Sequence, residues 1–145
     1  PGVIARAHGD YFAAGANVAI TASYQAHFDG FRQLKVDEAA ALQLMRRSVG
    51  LARECAASSG VPRLVAGSVG AYGASLHNGA EYTGDYPDMD EEKLKDWHRP
   101  RAEALIAAGC DLLACETIPC LLEARALVLL LGELQHPAWL TFSCN

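Results

Sequence analysis

A glutamate and a threonine follow the third of four short apolar runs in the chain. Glu116 and Thr117 come directly after Asp111–Cys115. An ionised glutamate at the end of a buried strand can receive an ammonium group or act as a base, whereas in an open loop it is only a solvated carboxylate. The residues alone leave both interpretations open, and the first makes Glu116 and Thr117 candidates for substrate binding.

Tyr24 and Gln25 form a second candidate pair, because they follow the first apolar run, Asn17–Ser23. The ring face attracts a cation and the amide can hydrogen bond, so the pair suits a sulfonium or quaternary ammonium ligand. Simple packing at the rim of the fold is the competing interpretation.

The five cysteines raise the question of a metal site, because three thiolates can hold zinc. No Cys-x-x-Cys occurs, and Cys110, Cys115 and Cys120 fall at a helix end, in a strand and at a helix start. We therefore expect these thiols to pack as small hydrophobic groups, and we assign no metal ligand in this chain. Cys144 lies at a strand end without a partner, and His98 is expected on a helix surface or at an interface.

These residues need a scaffold that brings strand ends together. Four apolar runs lack clean alternation, as expected of strands covered on both faces: Asn17–Ser23, Arg63–Val69, Asp111–Cys115 and Ala138–Phe142. Helical patterns lie between them, with Asp37 and Asp90 as N-caps, and with Gly15 and Gly109 where a left-handed residue ends a helix. Repeated units of this kind predict an α/β fold with a parallel sheet, either doubly wound or closed into a barrel.

A barrel is favoured, because no Gly-x-Gly-x-x-Gly opens a helix after the first strand. In a barrel the reacting groups project from the carboxyl ends of the strands. Side chains alternate along a strand, so Leu112, Ala114 and Glu116 share one side and Cys115 takes the other. We expect Glu116 to face the barrel mouth and Cys115 to pack against the helices.

The segment from Ala71 to Asp90 separates the second strand from its helix and is rich in Gly, Tyr, Asn and Asp. Loops of this length in compact domains are usually functional or disordered. Its three tyrosines favour an ordered lid or rim.

Composition excludes several classes of protein. The 145 residues are 51% hydrophobic and 20% charged, which predicts one globular domain. A net charge of -5 without a basic stripe argues against a nucleic-acid partner. The apolar runs are too short to span a bilayer and no secretory signal is recognisable, so we expect no membrane segment and a cytoplasmic protein.

Five short motifs occur in order along nearly the whole chain: Thr21–Ala26, Ala66–Gly70 followed by Tyr72–Ala74, Glu81–Tyr86, His98–Arg101 and Leu113–Pro119. Together they resemble the homocysteine S-methyltransferases of the S-methylmethionine-using type. The resemblance implies a zinc-dependent (β/α)8 TIM barrel. Such an enzyme transfers a methyl group from S-methylmethionine, or less efficiently S-adenosylmethionine, to homocysteine, giving methionine.

The resemblance also implies roles for single residues. The family's glutamate at the end of the fourth barrel strand matches Glu116, and there it binds the amino group of homocysteine. The strand-two segment on the methyl-donor side matches Tyr24 and Gln25. Zinc in the complete enzyme acts as a Lewis acid that lowers the pKa of the substrate thiol.

Two departures from the family pattern affect these expectations. The usual Gly-Pro-Tyr-Gly is Gly70–Gly73 here, with Ala71 replacing a proline of fixed φ. The resemblance also places the family's first-strand segment before Pro1 and its three zinc cysteines beyond Asn145. We therefore expect residues 1–145 to form an incomplete homocysteine-binding barrel domain, covering about strands 2 to 5 with their helices and inactive by itself.

Two alternatives stay open. The first is the betaine-using branch of the same superfamily, with betaine in place of S-methylmethionine as the small-molecule partner beside homocysteine. The second is a non-catalytic half-barrel that associates with itself or with another chain through its open sheet edges.

Overall fold

The computed structural model describes residues 1–143. Within this range, helices and strands alternate in the order α1 (Gly2–Ala13), β1 (Val18–Ile20), α2 (Phe28–Gln33), α3 (Glu38–Ser58), β2 (Leu64–Gly70), a 3-10 helix (Tyr72–Leu76), α4 (Ala80–Thr83), α5 (Glu91–Ala107), β3 (Leu112–Ile118), α6 (Leu121–Leu134) and β4 (Ala138–Phe142). None of these helices is both long enough and apolar enough to cross a membrane.

The four described strands form one parallel sheet in the order β1-β2-β3-β4, which confirms the predicted parallel sheet. An order that follows the sequence without reversal is that of a barrel wall, whereas a doubly wound sheet reverses at a switch point. The register pairs Ile20 with Ala66 and Gly70 with Glu116. The carboxyl ends of β1, β2 and β3 therefore lie along one edge of the sheet.

The first strand, Val18–Ile20, is shorter than predicted. After Thr21, side-chain hydrogen bonds take the place of the backbone hydrogen bonds between this segment and β2. Thr21 N still donates to Ala66 O at 2.9 Å. Thr21 Oγ1 then accepts from Ser68 N at 2.9 Å, and Ser23 Oγ donates to Ser68 O at 2.9 Å. The hydroxyls thus hold the chain against β2 while its backbone turns away.

Local capping follows the sequence prediction. The side chains of Asp37 and Asp90 each accept a hydrogen bond from a backbone N–H three residues on, at 2.8 Å. Gly15 and Gly109 have φ of 103° and 89°, the left-handed conformation that ends a helix at little cost for glycine. The two aspartates thus determine where α3 and α5 begin, and the two glycines determine where the chain turns from a helix toward β1 and β3.

The main core lies between the helices and one face of the sheet. Its strand positions are at most 1% exposed and alternate along the chain: Val65, Val69, Leu113 and Cys115. Ser68, Ala114 and Glu116 occupy the alternate positions and project from the other face, on the barrel side. Cys115 thus packs with the helices and Glu116 faces the barrel interior, as predicted.

Candidate substrate-binding site

Polar side chains meet at the edge where β1, β2 and β3 end. Glu116 in β3 is paired with Gly70 of β2, and the hydroxyl of Ser68 donates a hydrogen bond to Glu116 Oε1. Ser68 is fully buried, whereas Glu116 is half-buried. The serine therefore orients a carboxylate that solvent or a ligand can reach from the barrel mouth.

Thr117 has φ of 63°, a left-handed conformation that β-branched residues rarely adopt. It lies at an irregularity in the pairing of β3 with β4, between Cys115 and Ile118. A bulge of this kind turns successive side chains to new directions. The bulge carries β3 on to Ile118, beyond its predicted end, and turns the Thr117 side chain toward Tyr24.

Tyr24 lies directly against Gly70. A Cβ added to Gly70 would approach the carbonyl oxygen and two ring carbons of Tyr24 to 2.5–2.6 Å, so a side chain cannot be accommodated there without displacing Tyr24. Burial raises the pKa of Tyr24, the nearby side chain of Thr117 lowers it, and the negative charges of Glu81 and Glu116 raise it again. The phenol is therefore neutral at physiological pH and acts as an aromatic face with a hydrogen-bonding tip.

Gln25 is exposed, and it lines a separate surface cavity together with His27 and His77. The chain turns immediately after Tyr24, so the side chains of the predicted pair diverge. The structure brings Tyr24, but not Gln25, toward Glu116.

A buried arginine joins the turn that follows β1 to the end of β2. Arg101 is 2% exposed; its Nη1 donates to Tyr24 O at 3.1 Å and its Nη2 donates to Gly70 O at 2.6 Å. The guanidinium carbon lies 4.9 Å from the centroid of the Trp97 ring. Burial lowers the pKa of Arg101 to about 10, which still leaves the group charged at neutral pH.

The prediction that His98 lies on a helix surface or at an interface was wrong, because this residue is fully buried between two charged partners. Its Nδ1 is 2.9 Å from Arg101 Nη2, and its Nε2 is 2.8 Å from Glu123 Oε1. An arginine can only donate, so Nδ1 accepts, and Nε2 carries the proton that it donates to Glu123. Burial lowers the pKa of His98 to about 4, in agreement with this neutral tautomer.

Sequence reasoning missed Glu123, which is completely buried in the first turn of α6. Its carboxylate accepts from Tyr72 N at 2.5 Å, from the Tyr86 hydroxyl at 2.8 Å and from His98 Nε2 at 2.8 Å. The three donors and the positive helix end compensate the burial of its charge. One sequence signal existed, since Glu123 stands three residues after the N-cap Cys120, the spacing of a capping box, but the side chain turns inward.

The segment 71–90 contains the 3-10 helix and α4 and packs through two of its three tyrosines. The rings of Tyr72 and Tyr86 meet edge to face with centroids 5.1 Å apart, and Gly73 N donates to the Tyr86 hydroxyl oxygen at 3.2 Å. Ala71 has φ of -59°, close to the angle that a proline would impose. The start of this segment therefore has a proline-like conformation although residue 71 is an alanine, and the hydrogen bond from Tyr72 N to Glu123 holds the next residue in place.

Acidification is expected to destabilise the fold through His98. The unfolded imidazole takes up its proton near pH 6.5 and the folded one near pH 4, so between these values the unfolded state binds more protons. Stability conferred by the neutral imidazole is fully present above pH 6.5 and falls by about 3 kcal/mol as pH drops to 4. Urea unfolding of the full-length protein at several pH values measures the slope, which His98→Gln should reduce; equal slopes would contradict the assignment.

A sequence profile described as Homocysteine S-methyltransferase matches residues 1–145. The chain belongs to the homocysteine S-methyltransferase family.

Relatives show how much of such a protein the chain represents. Homocysteine S-methyltransferase YbgG of Bacillus subtilis is 47% identical over 155 residues, which cover 100% of the chain and 49% of the relative. Betaine-homocysteine S-methyltransferase of Drosophila melanogaster is 39% identical over 158 residues, covering 99% of the chain and 47% of the relative. The chain thus spans about half the length of the relatives it matches.

A solved structure confirms the fold class. The metallated form of the homocysteine methyltransferase MmuM from Escherichia coli superimposes with a TM-score of 0.93 and 46% sequence identity, over 100% of this chain and 52% of MmuM. The parallel sheet with its helices therefore corresponds to about half of the barrel of a homocysteine methyltransferase, as predicted.

The described part of the chain presents no set of side chains that fits a metal ion. Among residues 1–143, no three His, Cys, Asp or Glu side chains converge as a ligand set. Cys110 and Cys115 belong to the hydrophobic core, and burial raises the pKa of Cys115 to about 12, which keeps it a neutral thiol. Cys144, singled out in the sequence, lies outside the described residues.

Proposed function

We propose that the protein carrying this chain transfers a methyl group from S-methylmethionine to the thiol of homocysteine. The homocysteine sulfur, having lost its proton, attacks the methyl carbon. The bond between that carbon and the sulfonium sulfur breaks, its electron pair returns to the donor sulfur, and both products are methionine. The observation that carries the proposal is a reachable carboxylate, Glu116, at the mouth edge of a sheet with this family's fold.

Glu116 binds the ammonium group of homocysteine in this proposal. The hydroxyl of Ser68 donates a hydrogen bond to one carboxylate oxygen and orients the group, while the carboxylate stays partly exposed toward the barrel side. A charge-assisted hydrogen bond to an ammonium group is about twice as strong as a neutral one. Thr117 lies beside Glu116, where its strained backbone directs its side chain toward Tyr24.

The donor side of the site is proposed to include the ring of Tyr24, with Gln25 as a more distant candidate. A sulfonium is a cation, and an aromatic face attracts it. Betaine carries a quaternary ammonium, which the same ring would also attract, so the choice of donor depends on more than this contact. The motifs that match the S-methylmethionine-using enzymes favour the sulfonium.

Zinc belongs to the proposal for the complete enzyme, by family membership alone. The described residues present no set of metal ligands, and we propose that they bind and orient the substrate. We also propose a cytoplasmic location, on the character of the sequence, and self-association of residues 1–145 through β1 and β4, each of which pairs with only one strand among the described residues.

Methionine formation from homocysteine with S-methylmethionine, S-adenosylmethionine or betaine tests the function in the full-length protein. We expect fastest turnover with S-methylmethionine and slower turnover with S-adenosylmethionine. Faster turnover with betaine would move the assignment to the betaine-using branch, and no methionine from any donor would overturn it. Residues 1–145 expressed alone serve as the comparison and are expected to form no methionine and to hold no stoichiometric zinc by atomic absorption.

A further inference from the structure

A buried chain of hydrogen bonds leads from the segment 71–90 to the ends of β1 and β2. It runs from Glu123 through His98 to Arg101, and all three side chains are at most 2% exposed. Two opposite charges in a protein interior gain little net stability, because the cost of removing both from water offsets their attraction. The arrangement does supply a fixed geometry, since each member has a directional partner on both sides.

At one end of this hydrogen-bonded series, Arg101 donates hydrogen bonds to two backbone carbonyls from the two terminal nitrogens of its guanidinium. One belongs to Tyr24 and the other to Gly70, which is paired with Glu116 across the sheet. Tyr24 and Gly70 lie 46 positions apart in the sequence. The arginine therefore sets the distance between the Tyr24 ring and the strand that pairs with Glu116.

At the other end, Glu123 holds the segment 71–90 against the barrel. Its carboxylate accepts from the backbone of Tyr72 and from the hydroxyl of Tyr86, which lie near the beginning and end of that segment. The Tyr86 hydroxyl also accepts from Gly73 N at 3.2 Å. One carboxylate thus ties both ends of the segment to the helix α6.

We propose that Arg101, His98 and Glu123 are positioning residues for methyl transfer. They contact no substrate; they hold the Tyr24 side of the mouth in register with Glu116 and anchor the segment 71–90 beside it. The inference rests on the proposed function, because it assumes that homocysteine and donor meet at this edge. The proposal gives a role in catalysis to three buried side chains of α5 and α6 that lie behind the site.

Arg101→Lys in the full-length protein tests the Arg101 end of the hydrogen-bonded series. A lysine ammonium can replace the charge but not the planar fork, so it cannot hold both carbonyls in the same geometry. We expect kcat per folded molecule to fall about tenfold or more, because alignment of the two substrates is lost, with less than a threefold change in the KM for homocysteine. Arg101→Met should be worse than Arg101→Lys.

Arg53→Lys is the matched control. Arg53, in α3, also donates to a backbone carbonyl, that of Gly109, and to a carboxylate, that of Asp111, but these partners lie at the amino end of β3, away from the mouth. Its kcat and KM should stay within twofold of wild type. If Arg101 only stabilises the fold, Arg101→Lys will have a lower melting temperature and a lower folded fraction, but its kcat per folded molecule will equal that of the wild type. That result would overturn the proposal.

The other end is tested by native-state proteolysis of the segment 71–90, which needs no substrate. Glu123→Gln keeps the shape but removes the charge, and Tyr86→Phe removes only one hydroxyl, so at least one of the two should fold. We expect cleavage within the segment to quicken about fivefold or more in both, because a buried hydrogen bond that ties it down is weakened. Cleavage at the wild-type rate in a folded variant would overturn the anchoring role.

The two proposals fail separately. If the wild-type protein forms no methionine from any donor, the proposed function is wrong. The protease measurement alone then decides whether Glu123 anchors the segment 71–90. If the wild type is active while Arg101→Lys keeps its kcat, the function stands and the positioning role is wrong.

Discussion

Glu116→Ala in the full-length enzyme is expected to lower kcat/KM for homocysteine by about tenfold to a thousandfold. The range corresponds to a lost charge-assisted contact of roughly 1.5 to 3 kcal/mol, with further misplacement of the substrate. The contact is present in the ground state as well as in the transition state, so most of the loss should appear as a higher homocysteine KM. Steady-state kinetics at saturating donor measures it.

Two further variants separate loss of the carboxylate from loss of packing. Glu116→Gln keeps the shape and a hydrogen-bond acceptor for Ser68 but not the charge, so it should lie between wild type and Glu116→Ala. Glu103→Gln removes a surface carboxylate from α5 that lies 3.8 Å from Arg99, and its kinetics should be unchanged. Wild-type homocysteine kinetics in well-folded Glu116→Ala would remove this residue from the site.

Gly73→Ala is expected to lower the free energy of unfolding by about 3 kcal/mol, the upper end of the cost of overpacking. A Cβ on Gly73 would lie 2.3 Å from Glu81 N and 2.4 Å from the carbonyl carbon of Ala80. These are backbone atoms of α4, so the clash cannot be relieved by a rotamer change and must displace the segment 71–90. The hydrogen bond from Gly73 N to Tyr86 would be disturbed as well.

Gly50→Ala provides the matched control for this prediction, since a Cβ there meets nothing within 4 Å and the residue lies inside the helix α3. It should raise stability by up to about 1 kcal/mol, the usual gain in helix propensity. Urea unfolding of the full-length protein gives both values, and proteolysis of the segment 71–90 detects local detachment. A stability of Gly73→Ala within 1 kcal/mol of wild type, together with unchanged proteolysis, would show that the contact does not exist.

The local elements of this protein could be read from the sequence. Asp37 and Asp90 cap helices, and Gly15 and Gly109 end them, because such interactions join residues only three or four positions apart. The alternation around Glu116 placed its side chain on the barrel side and Cys115 among the helices, since two-residue periodicity survives in any strand. The order of four apolar runs with helices between them likewise predicted the parallel sheet.

Only the tertiary structure decided which polar residues would be buried together. Arg101 meets a carbonyl 77 positions away and Glu123 meets a backbone N–H 51 positions away, and no local pattern encodes such partners. His98 looked like a surface residue because a lone histidine beside two arginines is usually solvated, yet both of its ring nitrogens are bonded in the interior. Gln25 diverged from Tyr24 for a related reason, since the side-chain hydrogen bonds that end β1 depend on β2. The sequence determines the helices and strands through interactions between residues that are close along the chain. The partners that compensate a buried charge are decided only when distant segments pack together.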